Sequence, residues 1–417
     1  MLLKTILNRV HKIKGFVYGN FRLTTWENEP ALEIEILPRK GNRAVCSGCG
    51  KKRAGYDTGA LRRFEFIPFW GIRVFFIYQM RRVDCAQCGV KIEWVPWAEG
   101  KSETTTTYQW FLAGWAKKLS WQEVANSFHS SWYKVHEAVE RAVEWGRAHR
   151  NLEGITAIGI DEMQYGRGHI YITVVYQINQ GLRRLLWVGE KRKVRTLLRF
   201  FRWLGEERSQ QLQVVCSDMW KPYLKVVKKK AGKAIHILDR FHIVSHMNKA
   251  IDEVRAEEAR ELKKQGNGDV LKRSRWLFLK RSENLKEKQS QRLAEIVKHN
   301  LKTVRSYLLK EEFQMFWEYQ SAWWAGRFLD EWCTKAMRSK IEPMKKVAKM
   351  LRGHRELILN WFRAKKEFSS GVVEGLNSKA KLTMKRACGY KSFRTLELAL
   401  YHTLGDLPEP KVTHRFF

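Results

Sequence analysis

The chain has 417 residues, 44% hydrophobic and 29% charged, enough apolar content for several packed cores and too much for a disordered chain. Its 78 Lys and Arg against 43 Asp and Glu leave a formal charge of +35, a surplus that calls for a polyanionic partner. No apolar run reaches the ~18–20 residues of a membrane span, and the N-terminal MLLKTILNRVHKIKGF lacks the apolar core and cleavage site of a secretory signal. The expectation is a soluble cytoplasmic protein with nucleic acid as its partner and no membrane association.

Residues 1–100 hold two Cys-x-x-Cys-Gly pairs, Cys46/Cys49 and Cys85/Cys88, among short apolar-alternating runs such as Arg73 to Tyr78. Two residues between cysteines let both thiolates of a tight turn reach one tetrahedral Zn²⁺. Four protein thiolates leave no open position, so the site is expected to be structural. The 35 residues between the pairs are read as strands that bring the knuckles together. Cys216, Cys333 and Cys388 stand alone, and an odd count without a signal peptide speaks for reduced thiols.

Residues 101–150 are expected to form a helix-turn-helix. Ser120 and Glu123 form a capping box for a first helix ending near Phe128. The turn His129-Ser130-Ser131 precedes a second helix from Trp132 to about Arg147. Ser130, Ser131, Tyr133 and Lys134, with Glu137, would face a DNA groove.

From 151 to 250, strands alternate with helices. Residues 155–163, 169–178, 182–189, 212–218 and 234–238 read as strands, with Asn179-Gln180-Gly181 as a hairpin turn. Residues 251–367 read as helical: Leu293, Val297, Leu301, Val304 and Leu308 step by three or four, and Gln265–Gly268 separates helices. Phe368-Ser369-Ser370-Gly371 opens one more helix, within a final part at 368–417. The pattern is a multidomain α/β chain whose β-rich fold is interrupted by a helical insertion.

Three carboxylates carry the candidate chemistry. Asp161 lies inside an apolar strand, where an ionised carboxylate is costly unless paired or bound to metal. Asp218 ends a strand, where a parallel sheet exposes catalytic groups. Glu374 begins a helix whose Asn377 and Lys381 extend a polar face. Three such ligands around two Mg²⁺ or Mn²⁺ ions suit phosphodiester hydrolysis and transesterification. Glu162 should point to the opposite face of its strand.

These motifs in this order, from the two cysteine pairs through GIDE, SDMWKPY and DRFH to GVVEGLNSKAK and KRACGY, resemble the ISL-three family of bacterial insertion-sequence transposases. The resemblance spans about 40–405. It implies a ribonuclease-H-like catalytic fold with a DDE triad at Asp161, Asp218 and Glu374, and a helical insertion before the Glu. Cys388 stands where such tails often carry an aromatic residue. His242, in Asp239-Arg240-Phe241-His242, resembles an element of related transposases and would orient a carboxylate or meet the scissile phosphate. The alternative for it is a second metal site with His236 and His246.

Lys272, Arg273 and Arg275 flank Trp276 in the insertion, and Lys381, Lys385 and Arg386 follow Glu374. All six are expected phosphate contacts on double-stranded DNA. Of the 18 tryptophans, Trp317, Trp323, Trp324 and Trp332 are expected in the core of the insertion. The resulting expectation is a DNA transposase, a homodimer at least on DNA, that binds terminal inverted repeats and then cuts and joins. The rivals are a zinc-containing regulator without catalysis and a nuclease that cuts without joining.

Overall fold

The computed structural model describes residues 3–166, 168–365, 370–387 and 389–410; Phe368, Ser369 and Cys388 of the motifs above lie outside the described residues. The chain divides into two compact units, Met1–Asn151 with Leu382–Phe417, and Leu152–Lys381.

In the first unit, helix α1 (Leu3–Val10) precedes β1 (Phe16–Trp26), β2 (Glu29–Pro38), β3 (Ala54–Phe69), β4 (Ile72–Asp84) and β5 (Lys91–Ile92). Positive φ at both Glu27 and Asn28, and again at Trp70 and Gly71, marks the two-residue turns that match the twist of antiparallel hairpins. The sheet order is β1-β2-β4-β3, with β5 on β4. Its strands are longer than the short runs the sequence suggests. Phe64, Phe66, Val74, Phe76 and Tyr78 bury one face against Leu7, Phe16 and Trp97. Helices α2 (Thr106–Ala116), α3 (Trp121–Ser127) and α4 (Trp132–His149) follow. The Ser120/Glu123 capping box forms, and Ser131 caps α4 through the Lys134 N–H.

The second unit opens with β6 (Ala157–Gly166), β7 (Ile170–Asn179) and β8 (Leu182–Glu190), antiparallel neighbours joined between β7 and β8 at Gln180-Gly181. After α5 (Val194–Leu204) and α6 (Glu206–Gln210) come β9 (Val214–Ser217), α7 (Lys221–Lys230) and β10 (Ile235–Leu238). β9 runs parallel to β6, and β10 parallel to β9, so the mixed sheet reads β10-β9-β6-β7-β8. Alternation decides its two faces. Ile158, Ile160, Val175 and Val215 pack with Leu197 and Phe200 of α5 and with Tyr223 and Val226 of α7.

The helical part comprises α8 (Arg240–Lys264), α9 (Arg275–Leu279), α10 (Glu287–Val297), α11 (Lys302–Gln314), α12 (Ala322–Arg338), α13 (Glu342–Gly353) and α14 (Arg355–Arg363). The periodic run from Leu293 to Leu308 is not one helix. Glu258 of α8 accepts hydrogen bonds from the Lys302 N–H (2.8 Å), the Thr303 N–H (2.8 Å) and the Thr303 hydroxyl (2.6 Å), which starts α11 afresh. Trp317 and Trp332 are core, the Trp332 indole donating to the Leu309 carbonyl at 2.8 Å. Trp323 and Trp324 are not: they are 61% and 53% exposed in the first turn of α12, with the Arg327 guanidinium over both rings.

Helix α15 (Ser370–Arg386) lies against the other face of the second sheet, and the boundary between the units falls within it. Gly159 permits the approach, because a Cβ there would stand 2.4 Å from Val373. Helix α16 (Phe393–Leu404) belongs to the first unit, although the tail was expected with the carboxylate-bearing part. Arg394 bridges Glu140 (2.9 Å) and Glu144 (2.7 Å) of α4.

His402 of α16 is buried, and neither ring nitrogen finds a hydrogen-bond partner among the described residues. Burial, with a minor contribution from Lys117, pushes it from 6.5 down to about 3. A value depressed in the fold means the stability linked to it is present above pH 6.5 and lost as pH falls toward about 3. Acid unfolding of the intact chain should therefore begin at higher pH than in His402→Phe, as read by circular dichroism across that window. Superimposable profiles would refute this.

Candidate active site and metal centre

The antiparallel register of β3 and β4 pairs Ala54 with Asp84 and so sets the segment before β3 beside the segment after β4. Those segments carry the two knuckles. Gly50 and Gly89, both at φ 70°, close turns in which their N–H groups donate to the carbonyls of Cys46 (2.9 Å) and Cys85 (2.8 Å). The four thiols of Cys46, Cys49, Cys85 and Cys88 all lie within 4.8 Å of one another. Cys46 and Cys85 are buried, and Arg53 donates from Nε to the Cys85 sulfur at 3.3 Å. Four convergent sulfurs form a set that can hold a soft or borderline cation.

The second constellation sits at one edge of the mixed sheet. β6 pairs Gly159 with Cys216 of β9, and β9 pairs Ser217 with Leu238 of β10. Continuing that register puts Asp161, Asp218 and Asp239 level with one another along three neighbouring parallel strands. The Asp239 N–H donates to the Ser217 carbonyl at 2.9 Å.

Asp161 faces α15. Its carboxylate accepts from the Asn377 amide, whose oxygen accepts in turn from the buried Tyr176 hydroxyl at 2.9 Å. It also accepts the Glu162 N–H at 2.8 Å. Burial pushes Asp161 above the usual carboxylate range, against the Glu162 N–H, His242 and Asn377, while Asp239 adds to the rise. His242 Nε2 stands 3.7 Å from Asp239, which caps α8 through the Phe241 N–H at 2.7 Å.

Glu162 points to the opposite face, as alternation requires, but it is not isolated there. Arg192 lies 3.2 Å from Glu162 and 2.9 Å from Asp218, with its guanidinium over the Trp220 ring at 4.6 Å. Burial, and next Asp218, push Glu162 up to about 8, with Arg192 opposing. The other Asp218 oxygen accepts the Trp220 N–H at 3.0 Å. Arg192 had no signal in the sequence beyond the basic run after β8. Asn377 was visible only as part of a polar helix face.

Glu374 is exposed on α15, one turn before Asn377. Among the described residues, only the four cysteines form a group of three or more metal-type side chains with converging ligand atoms. Asp161, Asp218 and Glu374 are thus not gathered to that distance, and neither are His236, His242 and His246. His236 is instead buried and hydrogen-bonded to the Ser217 hydroxyl at 2.8 Å.

The expected groove and phosphate contacts divide. Ser131 and Tyr133 are exposed at the start of α4, Ser130 is half-buried, and the Lys134 ammonium is tied to buried Glu65 at 2.7 Å. Lys272 pairs with Asp269 and Arg275 with Asp252, each at 3.0 Å, while Arg273 is exposed. Lys381, Lys385 and Arg386 are all exposed on α15. No helix among the described residues is long and apolar enough to cross a membrane.

The acid-edged mixed sheet thus stands in a chain of strongly basic net charge. The chain belongs to the ISL3 (ISL-three) family of DDE-type transposases: a family model described as a transposase matches residues 158–400. It is 27% identical over 378 residues to the transposase for insertion sequence element IS1001 of Bordetella parapertussis, covering 90% of this chain and 92% of that one. It is 30% identical over 400 residues to the transposase for insertion sequence element IS1557 of Mycobacterium tuberculosis, covering 89% and 88%.

Proposed function

We propose that this transposase binds the terminal inverted repeats of an insertion sequence and catalyses metal-dependent DNA cleavage and strand transfer. The observation that carries the reading is the order β10-β9-β6-β7-β8, three antiparallel strands continued by two parallel ones. That order supports a ribonuclease-H-like core with α8–α14 as its insertion, and it puts Asp161 and Asp218 at one edge. Their donor chemistry fits hard divalent cations: two carboxylates, of which Asp161 is pushed by burial above the usual carboxylate range with His242 opposing, and Asp218 is paired with Arg192 at 2.9 Å.

In this reading Asp161, Asp218 and Glu374 hold two Mg²⁺ or Mn²⁺ ions. When bound, such ions lower the pKa of an attacking water or 3′-hydroxyl and offset charge at phosphorus. Asn377 fixes the orientation of Asp161, Arg192 that of Asp218, and His242 supports the same edge through Asp239. The four cysteines hold a structural Zn²⁺. Helices α3 and α4 form a helix-turn-helix whose Ser131 and Tyr133 enter a major groove, supported by the exposed basic residues of α15. A homodimer on DNA would hold two ends together under closed symmetry. The protein would act in the cytoplasm, at the nucleoid.

The test is a strand-transfer assay with labelled element-end duplex, target DNA and Mg²⁺. Joined product is the expected result. Cleavage without joining would favour a nuclease, and binding without either would favour a regulator.

A further inference from the structure

Arg386 and Tyr390 of the tail motif take no part in the carboxylate site. Within the first unit they line a cavity of about 670 Å³ together with Trp121 and Trp132 of the α3–α4 pair. That volume lies within the ~300–1,000 Å³ of small-molecule sites.

The walls combine two chemistries. Three aromatic rings stand around the space: Trp121 is 5.8 Å from Trp132 and 6.4 Å from Tyr390, centroid to centroid. Trp121 is buried, whereas Trp132 is 41% exposed at the start of α4 and offers a free part of its ring. Arg386 and Lys391, both exposed, supply positive charge, and Arg386 is steadied by donating to the Lys117 carbonyl at 3.3 Å. No Asp or Glu is among the described lining residues. Glu123 feels Arg386 from nearby, but its carboxylate is occupied by the Ser120 N–H at 2.7 Å.

A ligand that suits such walls has a flat π-face and a negative charge. We propose that this cavity receives one unpaired DNA nucleotide, its base against Trp132 and Trp121 and its phosphate met by Arg386 and Lys391. A paired base has both faces covered by its neighbours, so only a frayed, flipped or single-stranded base can enter. Trp132 lies between Ser131 and Tyr133, the residues assigned to the duplex, so an unpaired base beside a bound duplex comes within reach. The inference rests on that helix-turn-helix reading and gives the tail motif a role that the carboxylates do not require.

The test uses the full chain and two DNAs: a fully paired element-end duplex, and the same duplex with a short unpaired thymidine extension. Fluorescence anisotropy at fixed salt gives both affinities. The wild type should prefer the extended DNA by roughly tenfold, within what base–aromatic stacking supplies. Trp132→Ala should abolish that preference while keeping affinity for the paired duplex, and Trp132→Phe should restore most of it. Trp323→Ala, an exposed tryptophan outside the cavity, should leave it intact. Arg386→Ala should weaken both DNAs, the extended one more. Equal binding of the two DNAs by wild type, or a preference that survives Trp132→Ala, overturns the proposal. A wild type that ignores the paired duplex but binds the extension through Trp132 would keep the cavity and remove the helix-turn-helix reading beneath it.

Discussion

Asp161→Asn, Asp218→Asn and Glu374→Gln are each expected to lower cleavage and strand transfer together by about 10³-fold or more, while element-end binding is retained. Each change removes a ligand charge and keeps the shape, and groups that act as one unit fail together when one is lost. The environment of Asp161 separates this from a folding defect. Burial already opposes its charge, so removing that charge should leave thermal stability unchanged or higher. Asp218→Asn forfeits the ion pair with Arg192 and should be the least stable of the three. Glu162→Gln should lose far less activity, about 10–100-fold at most, because Glu162 lies on the other face and shares with Asp218 the Arg192 guanidinium rather than a ligand position. Stopped cleavage in Glu162→Gln beside near-normal cleavage in Asp161→Asn would move the site by one strand position. Normal chemistry in Glu374→Gln would remove the helix from it.

The contrast between Asp161 and Arg192 shows what the sequence made legible. The strands of the second sheet are visible because apolar residues recur through short segments between turn residues, and alternation alone separates Asp161 from Glu162. The cysteine pairs are visible because a local spacing and a following glycine determine the turn, and the strands between them needed only to form a hairpin. Arg192 meets its acids across 26 and 30 residues of chain, and no local pattern marks which of 78 cations will do so. The break before α11 was hidden for the same reason: the carboxylate that caps it comes from Glu258, on another helix. Exposure of Trp323 and Trp324 is likewise a matter of which face of α12 found a partner. The tail was expected with the carboxylates because its motif follows Glu374 directly, yet α16 is held to α4 by Arg394. Periodicity and knuckle spacing are written locally, whereas ion pairs and caps depend on the finished fold.

Cys46→Ser combined with Cys49→Ser is expected to abolish metal binding and unfold the knuckle region of the first unit, leaving the second unit intact. The reasoning starts from how little else holds the knuckles. The small cluster there consists of Ala44, Cys46, Val83 and Cys85, with Cys49 and Cys88 packed against it, so the ligands are themselves most of the core. Without a cation, four thiols brought within 4.8 Å of one another gain little from that proximity. With one, metal binding becomes folding free energy, about 10–16 kcal/mol for structural zinc in small modules near neutral pH. Removing two of four thiolates also breaks tetrahedral closure and takes from Arg53 its Cys49 partner, leaving it Cys85 alone. Elemental analysis of the purified wild type should find about one zinc per chain, and the double variant almost none. Limited proteolysis should then cut first between residues 40 and 95, and element-end binding should weaken while residues 152–381 stay resistant. A wild type that carries no zinc would end the structural-metal reading. A variant that loses zinc but keeps both its protease resistance and its end binding would show that β3 and β4 hold the knuckles without the ion.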